Sequence, residues 1–67
     1  MRKTLTFYTP KLLPKETKEY LCYIDGEWIV LTYSAKHQMF NVYDEWPLEE
    51  AMKTAIHVTY WANLPKL

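Results

Sequence analysis

Glu19-Tyr-Leu-Cys-Tyr-Ile24 and Glu27-Trp-Ile-Val-Leu-Thr-Tyr33, joined only by Asp25-Gly26, are the residues on which the fold turns. Both runs are rich in aromatic and β-branched side chains, which suit a pleated strand. Asp-Gly between two such runs specifies a two-residue type I′ turn, because both loop positions need positive φ. Gly26 is the single glycine of the chain, and it falls where that turn needs one. The stretch therefore reads as a β-hairpin over 19–33.

The turn also fixes the register. Ile24 opposes Glu27, Tyr23 opposes Trp28, Cys22 opposes Ile29, Leu21 opposes Val30 and Tyr20 opposes Leu31. One face then carries Tyr20, Cys22, Ile24, Ile29, Leu31 and Tyr33, and the other carries Leu21, Tyr23, Trp28 and Val30. A hairpin with one wet side alternates apolar with polar residues. This one is apolar on both sides, so each side needs a cover.

Working outward, Met39-Phe-Asn-Val-Tyr43 reads as a third strand over 39–43, ended by Asp44-Glu45-Trp46-Pro47. A short helix follows over 47–55. Pro47 suits its first position, where no amide donor is needed. Glu49 and Glu50 complement the helix dipole, and Glu49 and Lys53 form an i,i+4 pair. Leu48, Ala51, Met52 and Ala55 make one apolar stripe. Ile56-His-Val-Thr-Tyr-Trp61 is the last strand, over 56–61, and residues 4–9 are a candidate leading strand. The layout is α+β: a small antiparallel sheet of four or five strands with one short helix, in a single small domain spanning 1–67. The helix is expected over the face with Tyr20, Cys22, Ile29 and Leu31. The face with Tyr23, Trp28 and Val30 is left to the N-terminal segment or to a second subunit.

Composition narrows the function classes. The chain has 67 residues with eight basic and eight acidic side chains, which gives no basic footprint for phosphate backbones. One cysteine builds no intramolecular disulfide framework. Three tryptophans, six tyrosines and two phenylalanines mark an ordered chain, because disorder goes with few aromatics. No run is long and apolar enough for a signal peptide or a membrane span, so a cytoplasmic setting is expected.

Leu13-Pro14, the charged turn after it, Asp25-Gly26 with Trp28, and the ending Thr59-Tyr60-Trp61-Ala62-Asn63-Leu64-Pro65 resemble a family of small phage and bacterial domains of unknown function, the one numbered 551. Such domains open on arginine-leucine-proline and close on threonine-histidine-tryptophan-methionine-proline-leucine-proline. Thr59, Trp61, Leu64 and Pro65 match that ending, whereas Tyr60 replaces the histidine, Ala62 the methionine and Asn63 the proline. The resemblance covers residues 12–67 loosely. It implies no activity, and no role of the family histidine carries over to Tyr60.

Candidate chemistry is sparse. Cys22 with His37 or His57 is the one pairing of a nucleophile and a base, yet Cys22 sits mid-strand among apolar residues, where a free cysteine behaves as a small hydrophobe. The histidines are twenty residues apart and lack metal-ligand spacing. Asp44-Glu45 and Glu49-Glu50 are explained by the helix start. Tyr23, Trp28, Phe40, Tyr43, Tyr60 and Trp61 offer a stacking platform for bases, but without a positive groove.

The expectation is a non-enzymatic interaction module without catalytic residues, cofactor or metal. It self-associates as a homodimer through a face with Tyr23, Trp28, Val30 and Trp61; a different protein partner is the variant of that reading. A small nucleic-acid- or peptide-binding domain is the alternative. Nucleic acid is disfavoured by the charge, and no membrane partner is expected.

Overall fold

A computed structural model describes residues 6–64, and the first two residues of the candidate leading strand lie outside them. Four strands and one helix follow in the order β1 (Lys18–Ile24), β2 (Glu27–Ser34), β3 (Met39–Phe40), α1 (Leu48–Thr54) and β4 (Tyr60–Asn63). The fold is a small α+β one, with a single antiparallel sheet ordered β3-β2-β1-β4. Asp25 and Gly26 adopt φ of 49° and 84°, as a type I′ turn requires. All five expected cross-strand pairs of the hairpin are present.

The elements around the hairpin depart from the sequence pattern in three places. The third strand is cut to two residues because Asn41 takes φ of 65°, a left-handed conformation that asparagine tolerates. Asn41 and Val42 then both donate their N–H groups to the Thr32 carbonyl, at 2.6 and 3.4 Å, which is a bulge. The last strand starts four residues late, at Tyr60, because residues 56–59 are used to cross the molecule. The Ile56 N–H bonds to the Phe40 carbonyl at 3.1 Å, and the Thr59 N–H bonds to the Tyr23 carbonyl at 2.9 Å.

That crossing has a geometric implication. Phe40 belongs to one edge strand of the sheet, and Tyr23 pairs with the other edge strand. Three residues reach at most about 11 Å. The sheet must therefore curl until its edges come close enough for one short segment to join them. The concave side of the curl is the core: Tyr20, Cys22, Leu31, Tyr33, Phe40, Val58 and Trp61, with Tyr8, Leu13 and Ile56 packed against it.

The helix is consequently not the lid that its stripe suggested. No residue of α1 belongs to that core cluster. Only Ala51 is buried, while Leu48 and Met52 are more than half exposed. The concave face is filled by the curled sheet, by residues 56–58 and by the N-terminal segment, which leaves no room for a helix there. α1 serves as a connector, tied to the bulge by Asn41 Nδ2, which donates to the Thr54 carbonyl at 2.9 Å. Lys53 pairs with Glu50 at 3.6 Å rather than with Glu49, on an exposed surface where such a pair contributes little. The N-terminal segment adds one bridge to the sheet. Tyr8 and Trp61 exchange N–H···O bonds of 2.8 and 2.9 Å.

Inside the core, the Tyr33 hydroxyl is buried without a hydrogen-bond partner among the described residues. Burial raises its pKa, because the charged form would lose water. Tyr33→Phe removes an unpaired polar group and is expected to stabilise the protein by about 1 kcal/mol, or roughly 4–8 °C in Tm. A lower melting temperature for this variant would mean that the hydroxyl is satisfied after all.

Candidate functional site

Alternation along β1 and β2 puts Leu21, Tyr23, Trp28 and Val30 on the convex face of the curl, opposite the core. β4 brings two more residues there, because Tyr60 pairs with Tyr23 and the fully buried Ala62 pairs with Leu21. The aromatic rings form a connected row. Tyr60 lies 6.2 Å from Tyr23, Tyr23 lies 4.6 Å from Trp28, and Phe7 reaches Trp28 at 5.0 Å. Phe7, Trp28, Val30 and Tyr60 nevertheless keep 43–47% of their surface in solvent. Scattered apolar residues on a surface are ordinary, whereas a contiguous exposed row of this kind sets this face apart from the rest of the surface.

Trp61 does not belong to this face. It pairs with Cys22, so it points into the concave core, where it is 5% exposed. Its ring stacks on Tyr8 at 4.6 Å, meets Tyr20 edge-on at 5.2 Å, and its Nε1–H donates to the Leu12 carbonyl at 2.7 Å. Of the six platform aromatics, Phe40 and Trp61 are core residues, and Tyr43 packs on Trp46 away from the row. Phe7 was legible only as part of a leading strand, since nothing in its neighbours says that it folds over Trp28.

On the convex face of β1 and β2 the charged residue is Glu19, with Asp25 in the turn at its end, both acidic and exposed, while Glu27, opposite Ile24, lies on the core side. Lys18 turns the other way and sits 5.4 Å over the Tyr20 ring. Among the described residues these strands thus offer the face aromatic area with acidic rather than basic neighbours. A groove of about 310 Å³ lies on the other side of the sheet, lined by Tyr8, Leu12, Pro14, Tyr20 and Trp61 among others. Two polar groups in this groove are committed to the fold, since the Tyr20 hydroxyl donates to the Glu16 carbonyl at 2.9 Å and Trp61 Nε1–H donates to the Leu12 carbonyl at 2.7 Å; Lys15, Glu16, Lys18 and Asn63 also line it.

The candidate nucleophile is placed in the core. Cys22 is fully buried, its Sγ lies 3.6 Å from the Tyr20 carbonyl, and burial pushes its thiol up to about 11. A thiol that keeps its proton at neutral pH is a poor nucleophile. His57 is exposed on the crossing segment. His37 is held by its own loop, with Nε2–H donating to the Trp46 carbonyl at 2.8 Å. Among the described residues no three His, Cys, Asp or Glu side chains gather as metal ligands.

One polar cluster went unread in the sequence. Ser34 is wholly buried, and its hydroxyl donates to Asp44 Oδ1 at 2.5 Å, which also accepts from the Thr17 hydroxyl at 3.0 Å. Backbone N–H groups of His37 and Ala35 bond to the Ser34 and Thr17 hydroxyls at 3.1 and 2.9 Å. Serine, histidine and aspartate meet here, but not as a catalytic triad. The serine proton points at the carboxylate, and the imidazole Nε2 is engaged by Trp46 rather than by the serine, so no base activates the hydroxyl. The cluster ties the end of β2 to the start of β1 and to the loop before α1.

Asp44 accounts for a pH dependence. The Ser34 hydrogen bond first, then that of Thr17, lowers its pKa below 3.8. A carboxyl group with a lowered folded value stabilises the fold above its unfolded pKa, and that contribution is lost as pH falls through the folded value. Asp44→Asn should therefore melt at a lower temperature than the parent at pH 7. The gap should close in acid well below pH 3.8, where both side chains are neutral. Thermal melts across that range decide it, and a gap that stays constant with pH would refute the assignment.

No helix among the described residues is long and apolar enough to cross a membrane. No family model, no curated protein and no solved structure matches the chain.

Proposed function

We propose that this chain is a non-enzymatic interaction module that associates with a second copy of itself through the convex face bearing Tyr23, Trp28 and Val30. The observation that carries the reading is the exposed aromatic row Phe7–Trp28–Tyr23–Tyr60 on a sheet whose other face is closed by its own chain. Tyr and Trp dominate the centres of protein interfaces, and two-fold pairing of like surfaces is the commonest form of assembly. A net charge of zero removes long-range repulsion between copies. A cytoplasmic setting fits the single buried free thiol. Kinship with the phage and bacterial family numbered 551 is part of this proposal. The shared Leu13, Pro14 and Trp61 would then be packing residues, with Leu13 and Trp61 in or against the core.

Size exclusion with light scattering at tens of micromolar tests the reading. The expected mass is twice the chain's 8.1 kDa. Trp28→Lys should weaken association by about 30-fold or more, the effect of losing one interface anchor. Tyr43→Lys, an exposed aromatic off the row, should leave it unchanged. A parent protein that stays monomeric overturns the proposal. Salt-sensitive capture of single-stranded oligonucleotides by the same aromatics would favour the nucleic-acid alternative instead.

A further inference from the structure

Along β2 the residues Glu27, Trp28, Ile29 and Val30 are all exposed, although two of them face the convex side and two the core side. Burial by face cannot produce that pattern, but an open edge can. β3 pairs with β2 only at Tyr33 and Ser34, and the bulge adds bonds only to Thr32. Among the described residues nothing pairs with Glu27–Leu31 on that side.

The direction of the backbone groups follows from the bonds already present. The Thr32 carbonyl points outward, because it receives the Asn41 and Val42 N–H groups. In an antiparallel pair successive residues turn their N–H and C=O groups alternately toward and away from the partner strand. Val30 and Trp28 therefore point theirs outward as Thr32 does. Across β1 the Tyr23 carbonyl points away from β2, toward Thr59, which is the matching phase for its pair with Trp28. Two donors and two acceptors are thus presented on an edge flanked by exposed Trp28, Ile29 and Val30.

We infer that the second copy joins edge to edge, with β2 paired antiparallel to the partner's β2 about a two-fold axis through Ile29. The inference rests on the self-association proposed above but moves the contact from the convex face to the β2 edge that borders it, where Trp28 and Val30 belong to both. In this register Trp28 lies opposite the partner's Val30, and Val30 opposite the partner's Trp28, so every outward donor and acceptor is used. Centring on Trp28 or on Val30 would use only one residue's pair. The five-residue open stretch Glu27–Leu31 is filled by the same five residues of the partner and stops where the bulge begins. The register also separates charge. The two Glu27 residues lie four residues apart along the ladder, about 13 Å, whereas centring on Trp28 would bring them to half that distance. Paired in this way, the two convex faces become one continuous surface with Trp28 beside the partner's Val30, and the two Ile29 side chains meet on the other face.

Cross-linking reads the axis directly. In a Cys22→Ala background, Ile29→Cys places two thiols across the two-fold, in a close pair within disulfide reach. Mild oxidation should convert most of the protein to a covalent dimer, while Glu27→Cys in the same background should give little. Equal cross-linking at both sites, or none at Ile29, overturns the edge geometry. A second measurement separates edge from face. Val30→Pro removes one outward N–H without touching the β1–β2 ladder and should abolish the dimer, with folding checked by circular dichroism. Tyr43→Lys, exposed beside Trp46 and away from both the row and the edge, should leave the dimer intact. A folded Val30→Pro variant that keeps the dimer refutes the edge while sparing the self-association reading. A monomeric parent protein defeats both.

Discussion

Trp61→Ala is expected to leave the chain largely unfolded at 25 °C. The ring is 5% exposed and holds three parts of the molecule together: it stacks on Tyr8, meets Tyr20 edge-on and donates to the Leu12 carbonyl. Removing a buried tryptophan costs about 3–5 kcal/mol through lost transfer energy and the cavity left behind. A single core in a chain of this size supplies only about 3–5 kcal/mol in total. Trp61→Phe separates packing from hydrogen bonding. It keeps an aromatic ring but orphans the Leu12 carbonyl, at a cost of about 1 kcal/mol, and should stay folded. Far-UV circular dichroism with urea titration checks both. An alanine variant within about 1 kcal/mol of the parent would mean that the N-terminal segment and β4 do not depend on this ring.

Phe40→Ala is the second large effect, expected to cost about 3 kcal/mol. β3 has two residues, too few for its ladder to hold it in place. What holds it is the Phe40 ring, 4% exposed and 4.7 Å from Tyr33, in a strand whose carbonyl accepts the Ile56 N–H. Loss of the ring should release the bulge and the crossing segment before the hairpin. Hydrogen exchange reads this as lost protection at Asn41, Val42 and Ile56 while Cys22 and Leu31 remain slow. Uniform loss of protection would show instead that β3 and the hairpin open as one unit.

The hairpin was legible to the residue, because Asp25-Gly26 dictates both the turn type and the pairing that follows from it. The apolar character of both faces was legible for the same reason. What covers the faces was not. A helical stripe at Leu48, Ala51 and Met52 shows periodicity, but burial depends on whether a face is free to receive it, and the curl had already filled the concave side. The curl itself arises from two distant pairings, Phe40 with Ile56 and β1 with β4, and neither has a local signature. Strict alternation along a strand over 56–61 would put Trp61 on the face opposite Ile56 and Val58. The crossing breaks that alternation, so Val58 and Trp61 both face the core. Asn41 did carry a readable signal for the early end of β3, being a residue that tolerates left-handed backbone. The polar cluster at Asp44 required Thr17, Ser34 and Asp44 to meet across the chain, which no spacing discloses.

The bridge between Tyr8 and Trp61 has a kinetic consequence. It joins residues 53 positions apart, whereas the hairpin closes over two. Contacts between distant residues form slowly, because the loop between them must be closed before they are rewarded. The hairpin can form within microseconds, but the ring around the core is completed only when the last strand arrives. During that interval the outer edge of β1, which β4 later covers, stands open as a template while the core behind it is still unfilled. Rapid folding of the C-terminal segment therefore protects the chain from pairing with a neighbour too early, as much as it stabilises the finished molecule.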